Sequence, residues 1–202
     1  MAELLLATSN QAKLKELKSL LCDLSYKLVT LSEIGINDKV DEVGNSLKEN
    51  ALLKATISAS KSQLLTLADD SGLEVDALGG QPGVFSARYA GENASNGERI
   101  DYLLSQLKDV PWEKRRARFR CVIAICSPDG RVEICSGACQ GIIPLKPKGK
   151  LGFGYDPIFY LPRLGKTMAE LPQDMKNRLS HRGKAVRKAY SLLERLEVGN
   201  DF

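Results

Sequence analysis

A mixed α/β fold is predicted for this chain, and three observations predict it. "ELLLAT" (residues 3 to 8) is a continuous apolar run suited to a buried strand, and "QAKLKELKSLLCDL" follows at once with leucines at helical spacing. "ARFRCVIAICSPDGRVEICSGACQGII" carries instead the alternation and turn of a β-hairpin, so the sheet must combine parallel with antiparallel pairs. A length of 202 residues, 43% of them hydrophobic, suits one α/β domain or two closely joined lobes, with one folded unit as the default.

Along the chain, the first strand and a helix through Leu14, Leu17, Leu20, Leu21 and Leu24 are followed by a second strand at residues 27 to 31. A polar loop, "SEIGINDKVDEVGN", leads to a helix in which Ser46 caps and Glu49, three residues later, completes a capping box. "LLTLA" is the third strand, ending at the adjacent carboxylates Asp69 and Asp70, and residues 71 to 97 form a long glycine-rich loop. A helix near 97 to 108 precedes the hairpin, which turns at Pro128, Asp129 and Gly130 with Ala117, Phe119, Cys121, Ile123 and Ile125 on one face. "KPKGKLGFGYDPIFYLP" is a second Gly/Pro-rich loop, and helical periodicity resumes from Thr167.

Composition narrows the function. The net charge of +4, from 29 basic and 25 acidic residues, is too balanced for a general polyanion binder. The five cysteines are odd in number and lack paired-knuckle spacing, which argues against a disulfide framework or a zinc site and for a reducing cytoplasm. The first residues have no basic leader, and no run approaches the roughly 18 apolar residues of a membrane span. A soluble cytoplasmic protein is expected.

Several constellations can carry chemistry. "ATSNQAK" places free backbone N–H groups and the positive end of a helix dipole where an anion can sit, and Lys13 opposes that dipole unless a phosphate is bound. Neighbours on a strand point to opposite faces, so Asp69 and Asp70 do not form one clamp; one faces the site and the other is tied to the scaffold. Asp41 and Glu42 form a second acidic pair, and oxygen-only ligands from two segments suit Mg²⁺ better than zinc. In "GFGYDP" the glycines allow close approach, an aromatic offers a stacking face for a base, and Asp156 offers an acceptor to a ring N–H. "KNRLSHRGKA" contains the only histidine, His181, behind Ser180 as a candidate N-cap, with Arg182 beside it. Arg116, Arg118 and Arg120 alternate along a strand, either as an exposed sheet face or as a nucleic-acid surface.

These motifs, in this order, resemble the inosine triphosphate pyrophosphatase family, also called Ham1-like or non-standard purine nucleoside triphosphate pyrophosphatases. The resemblance runs nearly end to end and rests on "TSNQAK", "ENALLKA", "ADDSGLEVDALGGQPGVFSARYAG", "GFGYDPIF" and "SHRGKA", with "PGVFSARYAG" looking like the bacterial branch. It implies an elongated two-lobed α/β fold around a mixed twisted sheet flanked by helices, a single domain over residues 1 to 202 with the active-site cleft between its lobes, and a homodimer. It also implies Mg²⁺-dependent hydrolysis of ITP, dITP and XTP to the monophosphate and pyrophosphate, with no stable nucleic-acid complex and no membrane.

Carried over position by position, Thr8, Ser9, Asn10, Gln11, Ala12 and Lys13 grip the triphosphate, Asp70 is acid/base and metal ligand, and Ser71 contacts substrate. Phe153, Gly154, Tyr155, Asp156, Lys176, His181 and Arg182 bind nucleotide, chiefly the base. The loop pair that supplies a metal ligand appears as Asp41-Glu42 where many bacterial relatives have two glutamates, so both are candidates. Attack on the α-phosphorus then needs cations, which Lys13, Lys54, Lys176 and Mg²⁺ supply, and a base, which is Asp70. A 6-oxo purine presents O6 as acceptor and N1–H as donor, which Arg182 or a backbone N–H and Asp156 can meet, and adenine reverses both. A Maf-like pyrophosphatase and a non-catalytic nucleic-acid module are the alternatives.

Overall fold

A computed structural model describes residues 1–37 and 40–197. Asp38 and Lys39, in the predicted polar loop, lie outside the described residues. The elements are strands β1 (Glu3–Leu6), β2 (Lys27–Thr30), β3 (Leu65–Val75), β4 (Arg116–Cys126), β5 (Val132–Ile142), β6 (Tyr160–Leu161) and β7 (Lys166–Thr167), with helices α1 (Gln11–Leu20), α2 (Leu47–Ser62), α3 (Asn96–Gln106), α4 (Gln173–Leu179) and α5 (His181–Glu197). Among the described residues the strands form one sheet in the order β2-β1-β3-β4-β5-β6-β7. β1 pairs in parallel with β2 and β3, whereas β6 is antiparallel to β5 and β7, so the sheet is mixed as the sequence predicts. No helix among the described residues is long and apolar enough to cross a membrane.

The chain divides into two compact units. Of the described residues, unit 1 comprises 1–37, 40–70, 121–137 and 182–197, and its core gathers Leu4 and Leu6 of β1, Leu14 and Leu17 of α1, Leu67 of β3, Cys121, Ile123 and Ile125 of β4, and Ala185, Val186, Ala189, Leu192 and Leu193 of α5. Each fully buried leucine there contributes about 1.5–3 kcal/mol relative to exposure, which is what binds α1 and α5 to their strands. Unit 2 comprises residues 71–120 and 138–181, with Leu73, Val75, Leu103, Leu107, Phe119, Phe159, Ile158 and Met168 in its core.

Four expectations are corrected. The third strand does not stop at the aspartates but runs on through "ADDSGLEV" to Val75, because both carboxylates find cationic partners inside the protein and need no exit to solvent. Gly72 is a strand residue: a Cβ there would stand 2.3 Å from the carbonyl oxygen of Gly83, and the Ser86 hydroxyl accepts the next N–H, that of Leu73, at 2.9 Å. The first five residues of the expected loop, 71 to 75, are thus strand, and beyond them come short 3₁₀ turns at Asp76–Leu78 and Gly83–Arg88.

The capping box of α2 is shifted. Ser46 accepts the N–H of Glu49 as expected, but the Glu49 carboxylate accepts from Asn45 N–H at 2.7 Å, one residue before the cap. The loop is drawn over the helix end because Gly44 N–H donates to Asn50 Oδ1 at 2.8 Å. The helix after Thr167 is likewise not continuous. Met168–Glu170 is a 3₁₀ turn, α4 begins after Pro172, and Ser180, with extended backbone, separates α4 from α5.

Candidate active site

In unit 1 the two aspartates turn to different partners, as strand alternation requires. Asp69 is fully buried: its Oδ2 accepts from Arg182 Nε and Nη2, both at 3.2 Å, and lies 3.3 Å from Lys13 Nζ. Arg182, 2% exposed, donates its remaining terminal nitrogen to Glu16, 2.5 Å away on α1. Burial alone would make that guanidinium easier to deprotonate, but Asp69 and Glu16 outweigh it and hold the charge more firmly than usual. The Glu16–Arg182–Asp69 chain clamps the second turn of α1 and the first turn of α5 to β3.

Asp70 faces Lys54 and Asn50 of α2. Its Oδ1 lies 3.4 Å from Lys54 Nζ and 4.0 Å from Lys13 Nζ, and its Oδ2 accepts from Asn50 Nδ2 at 3.3 Å. Burial raises the Asp70 carboxyl above its ordinary range, only partly countered by the two lysines. Lys54 also reaches Glu42 Oε1 at 2.8 Å and the Asp69 carbonyl at 2.7 Å; burial opposes its charge, yet Asp70, Asp69 and Glu42 keep it protonated beyond the normal lysine range.

Residues 50 and 54 are one helical turn apart, so α2 presents an amide and an ammonium on the face that meets Asp70. Asn50 was missed from sequence. Its signal was a polar residue in register with the apolar face formed by Leu47, Ala51, Ala55 and Ala59, all buried.

At the start of α1, Asn10 caps: its Oδ1 accepts the N–H groups of Ala12 and Lys13, and Thr8 Oγ1 accepts Asn10 N–H. Ser9, Asn10 and Gln11 are exposed, while the Lys13 side chain folds back to 15% exposure onto the aspartates. Lys13, Lys54, Asp70 and Glu42 are therefore brought together within unit 1. Asp41 is exposed, and Glu42 is the member of that pair whose carboxylate meets Lys54.

Among the described residues no cluster of three or more His, Cys, Asp or Glu side chains forms a ready metal cage. Glu42 and Asp70 nevertheless flank a single cation, the Lys54 ammonium, with hard oxygen acceptors, a donor set that fits Mg²⁺ completed by water and phosphate.

Unit 2 holds the second group. Asp156 Oδ2 accepts Phe153 N–H at 2.8 Å and pairs with Lys176 Nζ at 2.5 Å, with both side chains under 5% exposed. Gly152 makes this possible: its φ of +75° suits glycine, and a Cβ would fall 2.1 Å from Asp156 Oδ2. Phe153 is half-buried with Lys176 Nζ 4.8 Å from its ring centre, a cation over an aromatic face. Tyr155 instead is a core residue: its hydroxyl donates to Ser86 O at 2.9 Å, and burial makes it harder to ionise. His181 stacks on Phe119 at 4.6 Å. The arginine stripe is partly neutralised, since Arg118 and Arg120 both pair with Glu74, at 2.5 and 3.2 Å.

A profile of the Ham1 family matches residues 4–192. A dITP/XTP pyrophosphatase from Desulforamulus reducens is 50% identical over 196 residues, 97% of this chain and 98% of that protein. A dITP/XTP pyrophosphatase from Bacillus subtilis is 45% identical over 194 residues, 96% and 98% of the two chains. Among solved structures, a HAM1 protein from Coxiella burnetii superposes with a TM-score of 0.88 at 44% identity, covering 96% of this chain and 100% of that one. The Staphylococcus aureus Ham1 protein gives 0.85 at 42% identity, covering 95% and 98%.

Proposed function

The chain belongs to the Ham1 family, and on that premise we propose that it is a nucleoside triphosphate pyrophosphatase. It cleaves non-standard purine nucleotides (ITP, dITP and XTP) to the monophosphate and pyrophosphate, and so keeps them out of DNA and RNA. The observation that carries this reading is Asp70: a buried carboxyl, raised above its ordinary range, flanked by two ammonium groups and an amide.

Asp70 lies between two ammonium groups of this cluster, and in this reading it faces the phosphates and takes the proton from the attacking water. Lys13 and Lys54 neutralise the triphosphate and the leaving pyrophosphate, and the Thr8–Lys13 segment offers the helix N-terminus to it. Ser71 follows Asp70 directly and contacts the same substrate. Glu42 and Asp70 would hold Mg²⁺, with Asp41 the less favoured candidate, and the bound ion would add charge neutralisation at the phosphates. Phe153 stacks on the base, and the Asp156–Lys176 pair, sealed from water, reads its polar edge. Gly154 and Tyr155 shape that loop, and His181, stacked on Phe119, is a further nucleotide contact in this reading. Arg182 already serves Asp69 and Glu16, so it acts on the base only through or at the expense of those bonds. The protein works as a cytoplasmic homodimer without a stable nucleic-acid complex.

The test is a substrate panel of ITP, dITP, XTP, ATP, GTP and pyrimidine triphosphates with Mg²⁺. Pyrophosphate should be released far faster from the first three. Equal rates, orthophosphate release, or a preference for pyrimidine nucleotides would overturn the reading, and an active Asp70→Asn variant would overturn the role of Asp70.

A further inference from the structure

We infer that Lys54 is a built-in stand-in for the divalent ion: its ammonium bridges Glu42 and Asp70 until the metal displaces it, so loading the site and freeing Lys54 for an anionic substrate are one event. The ammonium has three donors, and three oxygens surround it, Glu42 Oε1 at 2.8 Å, the Asp69 carbonyl at 2.7 Å and Asp70 Oδ1 at 3.4 Å. Two carboxylates brought this close repel unless a cation lies between them.

Lys13 does not take that place, because its Nζ is nearer Asp69 Oδ2, at 3.3 Å, than Asp70 Oδ1, at 4.0 Å. Nor does Arg182, which is spent on Asp69 and Glu16. Asn50 supports Asp70 from its other oxygen but carries no charge. Lys54, with its side chain only 12% exposed, is the counter-ion of the pair.

A metal that must draw the same two carboxylates competes with the bridge, and a bridge favoured ten to one over the open state weakens apparent metal affinity about tenfold. The displaced ammonium keeps its charge at the site and gains a use for it only when phosphate arrives. Lys54 is thus a positioning residue for the metal as well as a neutralising one for the triphosphate.

This inference rests on Glu42 and Asp70 being the magnesium ligands, so the experiment uses Mg²⁺ alone, without nucleotide. Calorimetric titration of the wild-type protein and of Lys54→Met should show the variant binding Mg²⁺ at least about fivefold more tightly. Its metal-free melting temperature should be lower than wild type, with a larger rise on saturation. Should Lys54→Met fail to fold, the wild type labelled at lysine carbons provides the readout: the Lys54 ε-methylene resonance should move along the same saturation curve. Binding with equal or weaker affinity in the variant, or a Lys54 resonance that stays still while Mg²⁺ binds, overturns the displacement but leaves the pyrophosphatase reading standing. No Mg²⁺ binding by the wild type overturns the ligand assignment and this inference with it.

Discussion

Asn50 and Asp70 are joined by a 3.3 Å hydrogen bond from Nδ2 to Oδ2, and the same Asn50 accepts Gly44 N–H at 2.8 Å through its other side-chain atom. One buried amide therefore ties the candidate base to the loop that carries Glu42. Both ends of the amide are used, and neither can be replaced by an apolar group without leaving a buried polar atom unpaired.

Asn50→Leu is accordingly expected to lower turnover more than stability would explain. Loss of the two bonds should cost about 1–3 kcal/mol in chemical denaturation. Displacement of Asp70 and Glu42 should reduce kcat/KM about 10- to 100-fold, as for other groups that orient ligands. Asn50→Asp, which keeps the acceptor for Gly44 but puts a charge against Asp70, should lose activity while its loop stays ordered. Activity equal to wild type in both variants would show that Asn50 serves packing alone.

Lys176 and Asp156 make the corresponding pair in unit 2, at 3% and 4% side-chain exposure. Lys176→Met is expected to destabilise by about 3–5 kcal/mol, since it leaves a buried carboxylate without its cation. Lys176→Met combined with Asp156→Asn should recover part of that loss, because no bare charge remains. A double variant no more stable than Lys176→Met would mean that the single loss came from packing around the lysine stem.

The strands and helices of unit 1 were largely legible because each rests on local periodicity: leucines at helical spacing in α1, a continuous apolar β1, a polar cap at Ser46. The end of β3 was not, because two carboxylates in a strand interior read locally as a turn. Only contacts from residues distant in sequence make those charges tolerable inside the fold, Lys13 and Arg182 at Asp69 and Lys54 at Asp70. The same limit applies to "GFGYDP", where the sequence does not say which aromatic offers a stacking face: Tyr155 is a core residue anchored to Ser86, 69 residues away. Lys13 stood out locally as a cation opposing the dipole at the start of α1, and the two aspartates as charges at a strand end, whereas the choice of Asp70 and the inclusion of Lys54 came from the family resemblance. Asn50 was not legible, since a neutral amide in "ENALLKA" raises no such conflict until its two bonds are seen.

Two glycines separate close approach from conformational freedom. At Gly72 a Cβ would meet the Gly83 carbonyl oxygen at 2.3 Å, so Gly72→Ala must push backbone apart and is expected to cost about 1–3 kcal/mol or more. At Gly97, in the first turn of α3, the nearest atom is the Ser95 hydroxyl oxygen at 3.8 Å and the backbone is helical. Gly97→Ala should therefore stabilise by about 0.5 kcal/mol through the entropy of the unfolded chain. Thermal melts of the two variants should shift in opposite directions, and a neutral Gly72→Ala would show that the 72–83 contact gives way freely.

Acid sensitivity follows from two capping boxes. Glu98 is held below the usual carboxylate range, first by the Ser95 backbone N–H and then by its hydroxyl. Glu170 is held low first by its bond to Lys148 and then by the Thr167 backbone N–H. A carboxyl whose folded pKa is depressed binds fewer protons in the folded state than in the unfolded one. Its contribution is then complete above the unfolded value of about 4.3 and is lost as pH falls through the folded value. Stability should thus decline on acidification below that point, and Glu98→Gln should be weaker than wild type at neutral pH but decline less steeply. Denaturant midpoints measured from pH 7 down to pH 3 check both, and parallel profiles for the two proteins would show that Glu98 adds nothing to the acid response.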